Sequence, residues 1–360
     1  MTGRNQTIDV AKGIGIILVV LGHNWITQVN GDLNRLVFSF HMPLFFFLSG
    51  IFIRKSDRLI PFSLSKADSL LKPYFVVLAT LGALKLLRAS ITGMAPAPDL
   101  NYFFGIMYGT GSTIDWVPMW FLPHLFITSV FCLFLLRSVK SEAGHSVSLA
   151  LIAAVSLVIG IYFINMFWQI KLIGRGFMGM SQLPGLPWSL DLIPISSAFL
   201  LFGYLCRERI QSMRFNVARF LVATIALALL HTYFDVAMDL NNRAYGNLFI
   251  SSLQAAIGIY ISLSLASLLQ KYSAIRVPLA YIGSRALFIL IFHSAFQTKV
   301  FMALSKVSGT NSLNGLLSLV AGVTFPLVLW EIASRQRLLA TLLLPQKSNH
   351  FLKLPSVAIQ

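Results

Sequence analysis

Charge is the scarcest ingredient of this chain. Asp, Glu, Lys and Arg make up 11% of its 360 residues, against roughly 25% in an average soluble domain. Acid is scarcer still, with 12 Asp and Glu against 28 Lys and Arg. A soluble globular fold is excluded on these grounds. Cysteine is nearly missing: Cys132 and Cys206 stand alone, with neither CxxC spacing nor a Cys/His cluster. The expectation is therefore no disulfide framework and no zinc or other metal site. There is no Walker A loop, no GxSxG elbow and no HExxH helix, so ATPase, serine-hydrolase and zincin readings lack support. Internal repeats, low-complexity tracts and signs of a second soluble domain are absent as well.

What remains is apolar. Hydrophobic residues make up 56% of the chain and the mean hydropathy is +0.76. Apolar runs near 20 residues recur, the signature of an all-α, polytopic membrane helix bundle. A transmembrane β-barrel would show short alternating segments. Ten spans are predicted, at 8–27, 36–53, 73–92, 118–136, 146–165, 189–206, 216–234, 247–269, 279–303 and 313–333. They form one membrane domain over residues 1–340, followed by a short tail, 341–360. The first run has the look of a signal-peptide core, but Asp9 interrupts it and His-Asn-Trp follows it, so a retained span is expected.

Ten crossings place both termini on one side. The connections on that side carry 18 Lys and Arg; those on the opposite side carry 6. Both termini are therefore expected in the cytoplasm, in a multi-pass protein of the cell (inner or plasma) membrane. The net charge of +16 falls between apolar runs, where it faces anionic lipid and not nucleic acid. Residues 166–188 form the longest outer loop, with Trp168 and Trp188 as interface anchors. A short interfacial helix is expected near Asn101–Tyr108, and an amphipathic surface helix over Ile60–Leu71.

The stretch Ile8–Gly50, IDVAKGIGIILVVLGHNWITQVNGDLNRLVFSFHMPLFFFLSG, is the one the rest is organised around. Ionisable groups in hydrocarbon are costly unless they face a polar cavity or a partner. Asp9, Lys12 and His23 sit on its first run and His41 on its second. At about 1.5 Å of rise per residue, His23 lies roughly 22 Å beyond Ile8, and His41 roughly 8 Å in from the outer end of the next span. Across a core of about 30 Å these depths coincide. His124, His231 and His293 fall in the same outer half, so five of the seven histidines suggest one proton-handling chamber. Gly22 and Asn24 flank His23 with a polar patch, and Pro43 after His41 frees a backbone carbonyl to line a cavity. Plainer readings stand beside these. His124 and His231 can simply hydrogen-bond neighbours near an interface. Asp9 and Lys12, three apart on one helix face, can pair with each other.

IDVAKGIGIILVVLGH followed by FSFHMPLFFFLSGIF resembles the integral-membrane acyltransferase family 3, and more closely its fucose 4-O-acetylase-like branch. Weaker likeness extends to MWFLPHLF (119–126) and IGSRALFILIFHSAF (282–296). The family signature, a basic residue separated by ten others from a histidine, is met by Lys12 and His23, with Lys where Arg is common. Lys keeps the charge and loses the bidentate fork. A second feature, basic residues before Pro-Tyr, is met by Lys66 and Lys72 in SKADSLLKPYF. The resemblance implies about ten spans and transfer of an acyl group, usually acetyl from acetyl-CoA, to a hydroxyl of a carbohydrate.

On this reading the donor is acetyl-CoA, its phosphates near Lys12, Lys66 and Lys72, with Arg285 meeting the same ligand. His23 deprotonates the acceptor hydroxyl, and His41 orients or stabilises the tetrahedral intermediate. Asn24, Trp120, His124 and His293 contact the carbohydrate, which is an oligosaccharide, a polysaccharide or a lipid-linked sugar. Direct transfer and a covalent acetyl-histidine relay both remain open. The competing readings are a polar-solute transporter or glycan flippase, and an accessory subunit of an export system. The first does not explain two histidines at one depth on consecutive spans, and the second predicts that His23→Ala leaves product acetylation unchanged.

Overall fold

The computed structural model describes residues 6–93, 98–139, 145–171 and 182–346. The chain is an all-α membrane bundle. Helices α1 (Gln6–Gly22), α2 (Trp25–Val29), α3 (Gly31–Phe38) and α4 (His41–Gly50) form its first two passes. Next come α5 (Leu59–Lys66), α6 (Lys72–Thr92), α7 (Leu100–Tyr108), α8 (Phe121–Ser138) and α9 (His145–Met166). Two short strands, β1 (Trp168–Lys171) and β2 (Gln182–Pro184), pair antiparallel. Then follow α10 (Ile193–Gln211) and α11 (Val217–Tyr233). A second antiparallel pair, β3 (Met238–Asp239) and β4 (Ala244–Tyr245), precedes α12 (Leu248–Leu269). The chain closes with α13 (Ser273–Ser284), α14 (Ala286–Ser308), α15 (Ser312–Arg335) and α16 (Arg337–Leu343).

Among the described residues seven helices are long and apolar enough to cross a membrane: Leu59–Thr92, Val117–Ser138, Ser146–Met166, Pro187–Gln211, Leu248–Leu269, Ala286–Ser308 and Ser312–Arg335. Three more of the ten expected spans are shorter helices, α1 and α11 with 17 residues each and α4 with 10. Several expected spans are broken, and proline accounts for much of this. Pro43 has no N–H to give the Ser39 carbonyl, so α3 ends at Phe38 and α4 starts afresh at His41. Pro73 likewise has no N–H to give the Ser69 carbonyl. The chain passes it through a widened π-turn, Ala67–Leu71. The surface helix expected over Ile60–Leu71 is thus the first part of one 34-residue helix. The span expected at 279–303 breaks at Arg285, and α13 packs as a separate helix against α1. In the expected loop 166–188, residues 172–181 lie outside the described residues. So does most of the expected tail, 347–360.

Lipid gives helices no hydrophobic reason to associate, so close backbone approach through small residues matters more. Two crossings show it. At the crossing of α4 and α10, a Cβ on Gly50 would lie 1.9 Å from the Leu200 carbonyl oxygen, and one on Gly203 would lie 1.9 Å from that of Phe47. At the crossing of α1 and α13, a Cβ on Gly283 would meet the Asp9 carbonyl at 1.9 Å, and one on Gly13 that of Leu279 at 2.3 Å. Around these contacts Ile16, Val20, Leu44, Phe46, Leu48, Leu200 and Leu201 are fully buried. The centre of the bundle is therefore α1, α4 and α10, and the hairpin of the first two passes is held there by backbone-to-backbone contact.

Candidate functional site

The breaks in the first two passes leave side chains at helix ends, where they line a cavity of about 290 Å³. His23 occupies the break between α1 and α2, and His41 is the first residue of α4. Both line this cavity. The Phe38 ring stands beside each imidazole, 5.8 Å from His23 and 4.7 Å from His41 between centroids. The two imidazoles from consecutive passes therefore meet at one chamber. Trp120, the last residue of a 3-10 turn, forms another wall, and Gln28 and Asn34 add amides. The β3–β4 hairpin supplies Asp239 at the end of β3, and Asn241 and Asn242 from its turn.

Hydrogen bonds fix what each ring has left to offer. His41 Nδ1 lies 3.0 Å from the Val37 carbonyl. A carbonyl only accepts, so Nδ1 carries the proton and Nε2 keeps a lone pair. Neutral His41 thus presents an acceptor, and it donates to an oxyanion only after taking up a proton. The His23 imidazole makes no hydrogen bond among the described residues. His293 Nδ1 donates to the Leu290 carbonyl at 2.8 Å, and its buried Nε2 has no partner among the described residues. Its ring lies 5.4 Å from that of His23, tilted by 38°.

Other expected site residues sit elsewhere. His124 does not line the cavity. Its Nε2 accepts from Ser196 at 2.7 Å, its Nδ1 donates to the Trp188 carbonyl at 3.3 Å, and it stacks behind Trp120 at 5.7 Å. Both nitrogens are used, so His124 stands behind Trp120 and outside the cavity lining. Asn24 is also away from the lining. Its carbonyl caps α2 through the Ile26 N–H, and its amide donates to Gln297, the Gly315 carbonyl and Ser318. It pins the His23 break to α14 and α15. His231 is not part of the wall either; its carbonyl accepts from Arg35.

None of the four basic residues expected at the donor lines the cavity. Lys12 holds its ammonium 4.1 Å above the Phe52 ring, and Lys66 lies 5.5 Å above Phe62. Lys72 is consumed locally by Asp68 at 2.7 Å and the Leu344 carbonyl at 2.6 Å. Arg285 is clasped between Tyr281 and Trp330, 3.8 and 4.2 Å from the ring centres, and bonds Ser284.

The loop that completes the cavity is built on a buried ion pair. Arg243 Nε meets Asp191 at 2.8 Å, and neither side chain is exposed. The same guanidinium donates to Ser189 Oγ and to the Asn241 carbonyl. Nearby, burial first and the Asp191 carboxylate second push the Tyr108 phenol above its ordinary value, with Arg243 opposing them. The phenol stays protonated and donates to the Gly185 carbonyl. Sequence reasoning missed Asp239, Asn241 and Asn242. The run Asp-Leu-Asn-Asn-Arg inside an apolar stretch is the signal that marks them.

A family model described as an acyltransferase domain matches residues 5–331. No curated protein and no solved structure matches the chain.

Proposed function

This chain belongs to the acyltransferase family whose domain it matches, and on that premise we propose that it is a membrane O-acetyltransferase. It moves an acetyl group from acetyl-CoA to a hydroxyl of a cell-surface or secreted carbohydrate, in the manner of the fucose 4-O-acetylase-like branch. The observation that carries this reading is the shared cavity. His23 and His41 line it together with Trp120, Asp239, Asn241 and Asn242. Carboxylate and amide groups around an indole suit a sugar, which offers many hydroxyls and an apolar ring face.

In this mechanism a neutral histidine takes the proton of the acceptor hydroxyl as its oxygen attacks the thioester carbonyl. The C–S bond then breaks, and the thiolate of CoA leaves with the proton returned by the imidazole. His23 is the base of choice, because its ring faces the cavity and is not engaged elsewhere. His41 accepts a hydrogen bond through Nε2, orienting the hydroxyl or sharing its proton. Oxyanion stabilisation passes from His41 to N–H donors of the wall, such as the Trp120 indole and the cavity amides. Lys12, Lys66 and Arg285 are the basic groups offered to the phosphates of the donor, which arrives from the cytoplasmic side where both termini lie.

The test is glycan analysis of cells with and without the intact chain, alongside turnover of radiolabelled acetyl-CoA by the purified protein. Acetyl label retained on sugar, and lost with His23→Ala, is the expected result. An unchanged glycan profile, or solute counterflow without acetylation, would overturn the reading.

A further inference from the structure

A second and larger cavity, of about 1270 Å³, lies away from the histidines. It is a groove between α9 and α10 on one side and α12 on the other, floored by Phe47 of α4. Leu157, Phe202 and Leu253 are typical of its walls. It follows α12 from Leu248 to Leu263, about 22 Å at the helical rise. That is deeper than half of the ~30 Å hydrocarbon core. At the end where α10 passes into α11 the lining changes to Arg209, Arg214 and Arg219. Among the described residues the guanidinium groups of these three make no hydrogen bond or ion pair. Ser267 near the end of α12 donates to the Met213 carbonyl, which ties this basic end to α12.

A long apolar trough ending in three unspent guanidinium groups is complementary to an anionic amphiphile. A free phosphate would leave the trough without an occupant, and a neutral lipid would leave the charge unanswered. We propose that this groove binds an anionic phospholipid of the membrane, its phosphate on Arg209, Arg214 and Arg219 and an acyl chain laid along α12. The proposal is independent of the acyl-transfer reading. Phe47 nevertheless links the two sites, because it belongs to the short helix that begins at His41.

The probe is dioleoyl-phosphatidylglycerol, with dioleoyl-phosphatidylcholine and inorganic phosphate as comparisons. Native mass spectrometry of the full chain should show phosphatidylglycerol retained about tenfold or more over phosphatidylcholine. Excess inorganic phosphate should not displace it. Replacing all three residues (Arg209→Gln, Arg214→Gln and Arg219→Gln) should erase that preference. A phosphatidylglycerol carrying a photoreactive group in its acyl chain should label wild-type peptides spanning residues 248–263, a readout that needs no variant to fold. Equal retention of both lipids, displacement by phosphate, or an unchanged preference in the triple variant would overturn the proposal. So would label confined to other helices, or a dimer of the chain that shields α12 from the probe.

Discussion

Arg243 and Asp191 form a two-point ion pair, Nε to Oδ2 at 2.8 Å and Nη2 to Oδ1 at 3.2 Å, with no solvent exposure on either side chain. It joins the turn before α10 to the hairpin that carries Asp239, Asn241 and Asn242. Removing one partner leaves the other buried and unpaired, at about 3–5 kcal/mol. Arg243→Met is therefore expected to lower the melting temperature sharply. Arg243→Lys should not rescue it, because three N–H groups on one nitrogen cannot reproduce the two-point contact with Asp191 together with the bonds to Ser189 and the Asn241 carbonyl. Thermal melts in detergent check this. A lysine variant that melts like wild type would show that the loop is held by something else.

The tautomer of His41 supplies a second prediction. His41→Asn can still place an amide N–H toward the Val37 carbonyl, but it has no lone pair at the Nε2 position. If Nε2 handles the proton or the hydroxyl, His41→Asn and His41→Ala should both lose about 10²–10⁴-fold in acetyl transfer. Only the alanine variant should also lose stability. Single-turnover assays beside melts separate the two effects. Activity surviving in the asparagine variant would assign His41 a purely structural role.

The parts legible in the sequence are those set by hydropathy and by local chemistry. Apolar runs located the helices. The pairing of His23 with His41 followed from depth counting along consecutive spans, and the two share a cavity. Depth says nothing of rotation about the helix axis, and this is why His124 was expected in the chamber and instead stacks behind Trp120. The family resemblance points to Lys72 through its place before Pro73-Tyr74, although Asp68 four residues earlier is a readable partner. Asn24 reads in the sequence as part of a polar patch that contacts the carbohydrate, whereas its amide is spent on α14 and α15, nearly 300 residues along the chain. The β3–β4 hairpin shows in the sequence only as the polar run Asp-Leu-Asn-Asn-Arg, and such a run reads alike whether it faces solvent or a site.

His293 yields a prediction in which stability and activity part company. Its Nε2 is a buried acceptor with no partner among the described residues, and such a group costs about 1–3 kcal/mol. His293→Phe removes that cost and keeps a ring against His23, so the variant should melt higher and stay active within about tenfold. His293→Ala loses the ring contact, worth about 0.5–1.5 kcal/mol, and leaves a void, so it should fall in both respects. If phenylalanine abolishes transfer while raising the melting temperature, His293 belongs to the proton path and not to the packing under His23.

The crossing of α4 with α10 decides where His41 stands, and it can be tested away from the cavity. A methyl on Gly203 would sit 1.9 Å from the Phe47 carbonyl oxygen, a backbone atom that cannot swing aside as a flexible side chain would. Gly203→Ala must therefore push α4 away from α10, and His41 moves with the helix it begins. Overpacking of this kind costs about 1–3 kcal/mol or more, and a shift of even 1 Å at a reacting group can cost about a hundredfold in rate. Gly31→Ala is the control. It lies at the start of α3, has nothing within 4 Å of its would-be Cβ, and should stay within about 0.5 kcal/mol of wild type. Melts and transfer rates of the two variants should diverge strongly. Equal behaviour would mean that α4 and α10 do not touch backbone to backbone, and that the position of His41 is fixed by other contacts.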